Sequence, residues 1–228
     1  MTSHQQKQIE VINQIEKRVK NNSLNFSTVS PVKDYINDTR VCLTSVHLPN
    51  QSLLKEIKES FIEPLINIEP DYYYYNESSL HITIKSVRVI NDPPHFTEET
   101  VSKAKKVFSE VIPSHKKFKV YFYRFLLFPN NLTLVGTTDP EFDELFIDLD
   151  KKLNEEGIPD DKKYSNPEYY FVNMTLVRFP APSDKIKAKI KELLSKFPLR
   201  SYMVDSVTLL TCNAVFKKRR IINSWKLK

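Results

Sequence analysis

The sequence predicts an α+β fold made of two similar halves. Two antiparallel sheets surround a central cleft, with helices on the outside and a pseudo-twofold relating the lobes. Three observations predict this bilobal, duplicated arrangement. The order strand, helix, strand, helix, strand occurs twice, and the two halves meet near Pro129. In each half the second strand alternates apolar and polar residues and carries a polar-x-Thr unit, His81-Ile82-Thr83 in the first and Asn173-Met174-Thr175 in the second. The length of 228 residues and a hydrophobic content of 40% suffice for one large domain or two small lobes around a real core. The expected division is an N-terminal helical extension and tether over 1–39 and a domain over 40–228, with lobe one at about 40–128 and lobe two at about 129–228.

Residues Gln5 to Lys20 read as an amphipathic helix with Ile9, Ile12, Ile15 and Val19 on one stripe, followed by a polar tether. Docking of this extension on the domain is expected ahead of capture of a partner. The first strand, Arg40 to Leu48, stops at Pro49, and a helix from about Ser52 carries Leu53, Leu54, Ile57 and Phe61 at helical spacing. An edge strand or packed loop accounts for the run Tyr72 to Tyr75, and stacking on a base is the alternative. The strand Ser78 to Val87 sends Leu80, Ile82 and Ile84 to the core and displays His81, Thr83 and Lys85 on its other face. Thr97 caps a helix to about Val111 with Glu98 and Glu99 in its first turn. Strands at Phe118 to Phe128 and Leu132 to Thr137 flank a Pro-Asn-Asn turn. A helix from about Pro140 to Asn154, a strand at Tyr169 to Phe179, a helix from Ser183 to about Lys196 and a strand at Tyr202 to Leu210 come next, before a closing segment from Phe216 to Leu227.

Composition narrows the chemistry. The chain carries 34 basic and 28 acidic residues, a net charge of +6, which suits a phosphate-bearing ligand and a lysine-coated surface equally well. With only Gly136 and Gly157, phosphate loops built on glycine are excluded. Neither Cys42 nor Cys212 has a His or Cys partner at a metal-ligand spacing, and both lie in strand-like runs that suit free, buried thiols. No apolar run reaches the roughly 18–20 residues of a membrane helix, so no membrane contact and a cytoplasmic protein are expected. His95 and His115 lie in polar, loop-like contexts and read as surface residues.

With both polar-x-Thr units in place, roughly Arg40 to Lys228 resembles the 2H phosphoesterase superfamily, in its RNA 2′,3′-cyclic phosphodiesterase and 2′-5′ RNA ligase-like branch. Leu80-His81-Ile82-Thr83-Ile84 matches the first motif in full. Met174-Thr175-Leu176-Val177-Arg178 matches the tail of the second, with Asn173 standing where the family has its second histidine. The resemblance implies phosphodiester chemistry without metal or cofactor, on an RNA end or a cyclic nucleotide or oligonucleotide, in a monomer. Cleaving a cyclic phosphate needs a base for water and an acid for the leaving ribose oxygen, and imidazoles suit both tasks near neutrality. In this reading His81 transfers a proton, Thr83 and Thr175 clamp the phosphate, and Lys85, Tyr75 and Arg220 contribute to ligand binding. Asn173 can donate a hydrogen bond but does not titrate, and loss of one general acid or base costs about 10²–10⁴ in rate. A naturally degenerate site, a proton supplied by another residue such as His47 or Tyr123, and a His-to-Asn change that traps a ligand each account for it. The rivals to an enzyme are an inactive nucleotide- or RNA-binding module and an interaction scaffold using the N-terminal helix.

Overall fold

The computed structural model describes residues 1–24, 26, 28–195 and 200–228. The first half of the domain runs β1 (Val41–His47), α2 (Gln51–Ile57), a π turn and α3 (Glu63–Ile66), β2 (Tyr73–Tyr74), β3 (Ile82–Asn91), α4 (Glu98–Val111) and β4 (Phe118–Phe128). The second runs β5 (Asn131–Thr138), α5 (Glu141–Glu155), β6 (Val172–Arg178), α6 (Asp184–Ser195), β7 (Arg200–Val204), β8 (Ser206–Cys212) and β9 (Arg219–Lys226). Before them lies α1 (Ser3–Lys20). Asn50 caps α2 and Thr97 caps α4, each accepting a hydrogen bond from a first-turn amide. Of the helix expected to reach Lys196, that last residue lies outside the described set.

The strands form two antiparallel sheets, in the orders β3-β1-β8-β9 and β2-β6-β5-β4-β7. The duplication is visible in their centres. Sheet one contains the triplet β3-β1-β8, and sheet two contains its counterpart β6-β5-β4. In each triplet the first two strands come from one half of the chain and the third from the other. The sheets therefore do not divide at residues 128 and 129: β4 completes the second sheet and β8 the first. The physical reason is the tight turn at Pro129-Asn130, which makes β4 and β5 hairpin neighbours and pulls β4 out of its own half. The strand expected at Tyr202 to Leu210 is likewise two strands in different sheets. Asp205 makes the break, its carboxylate accepting from Ser206 Oγ at 2.9 Å and Lys226 Nζ at 3.1 Å, and its carbonyl from the Leu227 amide at 2.9 Å.

One core spans both sheets and the helices outside them, and a second, smaller one lies beneath α1. There Val11, Ile12 and Ile15 pack on Leu126 of β4 and Val135 of β5. Full burial of an isoleucine is worth about 1.5–3 kcal/mol, enough to hold a helix that would fray alone. The buried stripe is Gln8, Val11, Ile12 and Ile15, so Ile9 sits at its margin. Gln8 is fully buried and satisfied: its Nε2 donates to Thr138 Oγ1 at 2.7 Å and the Tyr170 carbonyl at 2.6 Å, and its Oε1 accepts from the Thr138 amide at 2.8 Å. The tether returns along the domain, where Asn130 Nδ2 donates to the Val29 carbonyl at 2.8 Å. Among the described residues no helix is long and apolar enough to cross a membrane.

Candidate functional site

β3 and β6 run past each other where the two sheets meet, and a cleft opens over them. It has two joined chambers of about 390 and 210 Å³, which share Thr83, Ser86, Lys162, Asn173, Thr175 and Arg178 among their lining residues. The larger adds His81, Tyr75, Phe216 and both cysteines. The smaller is walled by aromatic rings, including Phe26, Phe128, Tyr164 and Tyr169. Thr28 and Val29 of the N-terminal tether line both chambers, so the extension forms part of the site.

A short 3-10 turn at Glu77–Ser79 precedes β3, so His81 stands just outside the strand rather than within it. Its Nδ1 lies 2.8 Å from the Ser79 carbonyl. A carbonyl only accepts, so Nδ1 carries the proton and Nε2 presents a lone pair. The ring stacks on Phe216 at a centroid distance of 4.1 Å and leans on Tyr75 at 6.5 Å. Burial lowers its pKa to about 4, against the pull of the Ser79 carbonyl and with the help of the Arg178 and Arg219 guanidinium groups. Phe216 holds a left-handed backbone, φ 62°, in the turn between β8 and β9. Asn213 ties that turn, its Oδ1 accepting from the amides of Lys217 at 3.0 Å and Lys218 at 3.1 Å. Such backbone strain in a non-glycine residue persists where the surroundings over-determine it.

Thr83, Asn173 and Thr175 all line the cleft, half-buried, on the face opposite the core residues Ile82, Met174 and Leu176. Two β-bulges then set the direction of the later side chains on each strand. On β3, Thr83 pairs with Val46 and Lys85 with Ser45, leaving Ile84 as an extra residue. A bulge reverses the alternation beyond it, which turns Lys85 away from the cleft and brings Ser86 into it. Lys85, expected beside His81, is instead fully buried behind the sheet. Its Nζ lies 2.9 Å from Asp150 Oδ1 and 2.6 Å from Asp160 Oδ2, above the ring of Phe146 at 4.3 Å. Burial raises the Asp160 pKa to about 6, opposed by Lys85 and reinforced by Asp150.

On β6, Leu132 pairs with Val177 and Thr133 with Thr175, leaving Leu176 extra. This second bulge swings Arg178 to the face of Thr175. Arg178 is 6% exposed, and its Nε donates to Tyr75 Oη at 2.9 Å. Its Nη1 is buried without a hydrogen-bond partner, and no carboxylate pairs with it among the described residues. Lys162, on the loop before β6, lines both chambers and likewise has no ion-pair partner among the described residues. Burial, then the Lys85 ammonium, hold its pKa below the ordinary lysine value. A buried cation without a counter-ion is costly, and an anion in the cleft would offset that cost at Arg178.

The remaining candidates fall outside the cleft except Tyr75, which lines the larger chamber. Tyr75 is a buried buttress, donating from Oη to the Ala214 carbonyl at 2.7 Å while it accepts from Arg178. Tyr72 and Tyr74 spend their hydroxyls on backbone carbonyls, and Tyr73 and Tyr74 form β2 on the edge of sheet two. Arg220 faces outward to Glu98 at 2.6 Å. Its neighbour Arg219 is the basic residue nearer the site, donating to the Phe216 carbonyl at 3.1 Å. His47 is locked between the Ser206 carbonyl at 2.9 Å and Tyr202 Oη at 3.0 Å, and Tyr123 packs under α1, so neither lines the cleft. His115 is more enclosed than expected, its Nε2 lying 3.1 Å from Asp148 with 11% of the side chain exposed. Ser86, Lys162, Arg178 and Phe216 are site residues the sequence did not single out. Arg178 alone had a signal, as the end of the motif-like stretch.

The arrangement can hold a phosphate between two threonine hydroxyls, a guanidinium and an ammonium, with one neutral imidazole beside it as a proton acceptor. Asn173 lines both chambers beside Thr175 and offers an amide, which does not titrate in the neutral range. No family model and no curated protein matches the chain. Solved structures match its fold. Apo LigT of E. coli gives a TM-score of 0.58 at 12% identity, over 83% of this chain and 98% of that one. A crystallised protein of Thermus thermophilus gives 0.56 at 12% identity over the same shares. LigT of E. coli complexed with 3′-AMP gives 0.54 at 14% identity, again over 83% and 98%. The fold of the chain is thus that of LigT-type phosphoesterases.

Proposed function

We propose that this chain is a 2H-type phosphoesterase domain that binds the phosphate of an RNA end or a small nucleotide, cyclic ones included, in the cleft between its sheets. The observation that carries the reading is Arg178, a buried guanidinium with a free N–H group on the same face as Thr83 and Thr175. The phosphate lies against the two hydroxyls and Arg178, and Lys162 adds charge from the opposite wall. The aromatic chamber takes the base, and stacking there is worth about 1–3 kcal/mol. The nucleotide complex of the LigT neighbour supports a ligand of this class. His81 Nε2 accepts a proton from water as it attacks phosphorus. Nothing at Asn173 returns one to the leaving ribose oxygen, so turnover is slow relative to a two-histidine site.

A second reading, a binding module without turnover, is favoured by Asn173 itself. Calorimetry with 3′-AMP and 2′,3′-cyclic AMP, beside a hydrolysis assay, separates the two. Binding of both nucleotides is expected, weakened about tenfold or more by Lys162→Met, as for loss of a charged hydrogen bond. Slow hydrolysis of the cyclic nucleotide that His81→Ala abolishes and Asn173→His accelerates supports the enzyme. Binding with no hydrolysis in the parent or in Asn173→His supports the module. Failure of either nucleotide to bind removes both readings.

A further inference from the structure

The floor of the larger chamber carries a pair of thiols that the phosphate chemistry does not use. Cys42 on β1 and Cys212 on β8 are direct cross-strand partners, and both line the cleft. Their sulfurs are 3.4 Å apart, and both are free. Opposed residues of an antiparallel pair have Cα atoms about 4.5–5.5 Å apart, inside the range of about 4.4–6.8 Å that a disulfide spans. Bond formation therefore needs side-chain rotation and little backbone movement. Cys212 ends β8, and the next residue, Asn213, ties the turn that presses Phe216 against His81.

We propose that Cys42 and Cys212 are a reversible oxidation site that forms a cleft-floor disulfide on exposure to a peroxide and thereby displaces Phe216 and His81. The Cys42 sulfur attacks one peroxide oxygen, the O–O bond breaks, and the hydroxide that leaves takes the Cys42 proton as the first water. The resulting sulfenic acid is attacked by the Cys212 sulfur, its S–O bond breaks, and the departing hydroxide takes the Cys212 proton as water. The two sulfurs together give up two electrons, and hydrogen peroxide becomes two waters. The thiols are already differentiated for these roles. The sulfurs are in hydrogen-bond contact, and that contact, with the nearby Lys162 charge, holds the Cys42 pKa below the ordinary thiol value against burial, while the same contact and burial raise Cys212 well above it. Cys42, the attacking thiol, is the more exposed of the two and lines the cleft, which gives a small oxidant a path to it.

The test treats the whole protein with hydrogen peroxide, then alkylates and measures intact mass, and follows the His81 ring resonance by NMR. The expected result is a monomer that has lost two hydrogens and resists alkylation at both positions, with the His81 signal shifted. Dithiothreitol reverses both changes. In Cys42→Ser and in Cys42→Ala the His81 signal does not respond to peroxide. Both thiols still alkylated, disulfide-linked dimers or sulfinic acids as the product, or a disulfide that leaves the His81 signal unmoved would overturn the proposal. Neither readout involves a nucleotide, so the outcome is independent of the binding experiment above.

Discussion

At the scale of single residues, the site depends on holding His81 neutral. The ordinary imidazole titrates near 6.5, and burial against Phe216 and Tyr75 lowers this one to about 4. Its lone pair is therefore available across the whole neutral range. Because the folded pKa is depressed, the stability linked to it is fully present above about pH 6.5 and is lost as pH falls toward 4. NMR titration of the ring should show no protonation above about pH 5, and any hydrolysis should keep a flat profile from neutrality down to that point. A ring that titrates near 6.5 would mean that solvent reaches it and that Phe216 and Tyr75 do not enclose it. Arg178 shows the converse principle. Its Nε is held by Tyr75 while Nη1 is buried with no hydrogen-bond partner, and an anion reaching that edge would offset the cost of burying the charge.

At the scale of elements, much was legible and the failures share one cause. Period-two alternation placed β1, β3, β4 and β6 and sorted His81, Thr83, Asn173 and Thr175 onto one side, and apolar spacing placed the helices. Alternation cannot register a bulge, because the extra residue is visible only when the partner strand is known. Alternation alone therefore puts Lys85 in the cleft it turns away from and leaves Ser86 and Arg178 unmarked. The β8–β9 turn was equally opaque, since nothing in its sequence announces a left-handed phenylalanine. That turn allows a sharp test. Phe216→Gly relieves backbone strain of about 1–2 kcal/mol but deletes a buried ring worth about 3–5 kcal/mol, for a net loss of about 1–4 kcal/mol in denaturant melts. The same variant should raise the His81 pKa toward 6.5 as water replaces the ring. A stabilised variant with an unchanged His81 would show that the stack does not support the imidazole.

At the scale of the whole molecule, the exchange of third strands makes the two halves inseparable. Neither β1 nor β5 has its full set of neighbours without a strand from the other half. Fragments 1–128 and 129–228 expressed apart should each lack a cooperative thermal transition by circular dichroism, whereas two independent lobes would each melt on their own. The exchange also orders events during synthesis. The strand carrying Thr83 leaves the ribosome early, yet its sheet gains β8 and β9 only when residues 206–226 have been made. Phe216 and Arg219, which flank His81, belong to that last stretch. A nascent chain thus cannot complete this cleft before residues 206–226 have been made, and one that stops short of β8 leaves an open strand edge for quality control to find.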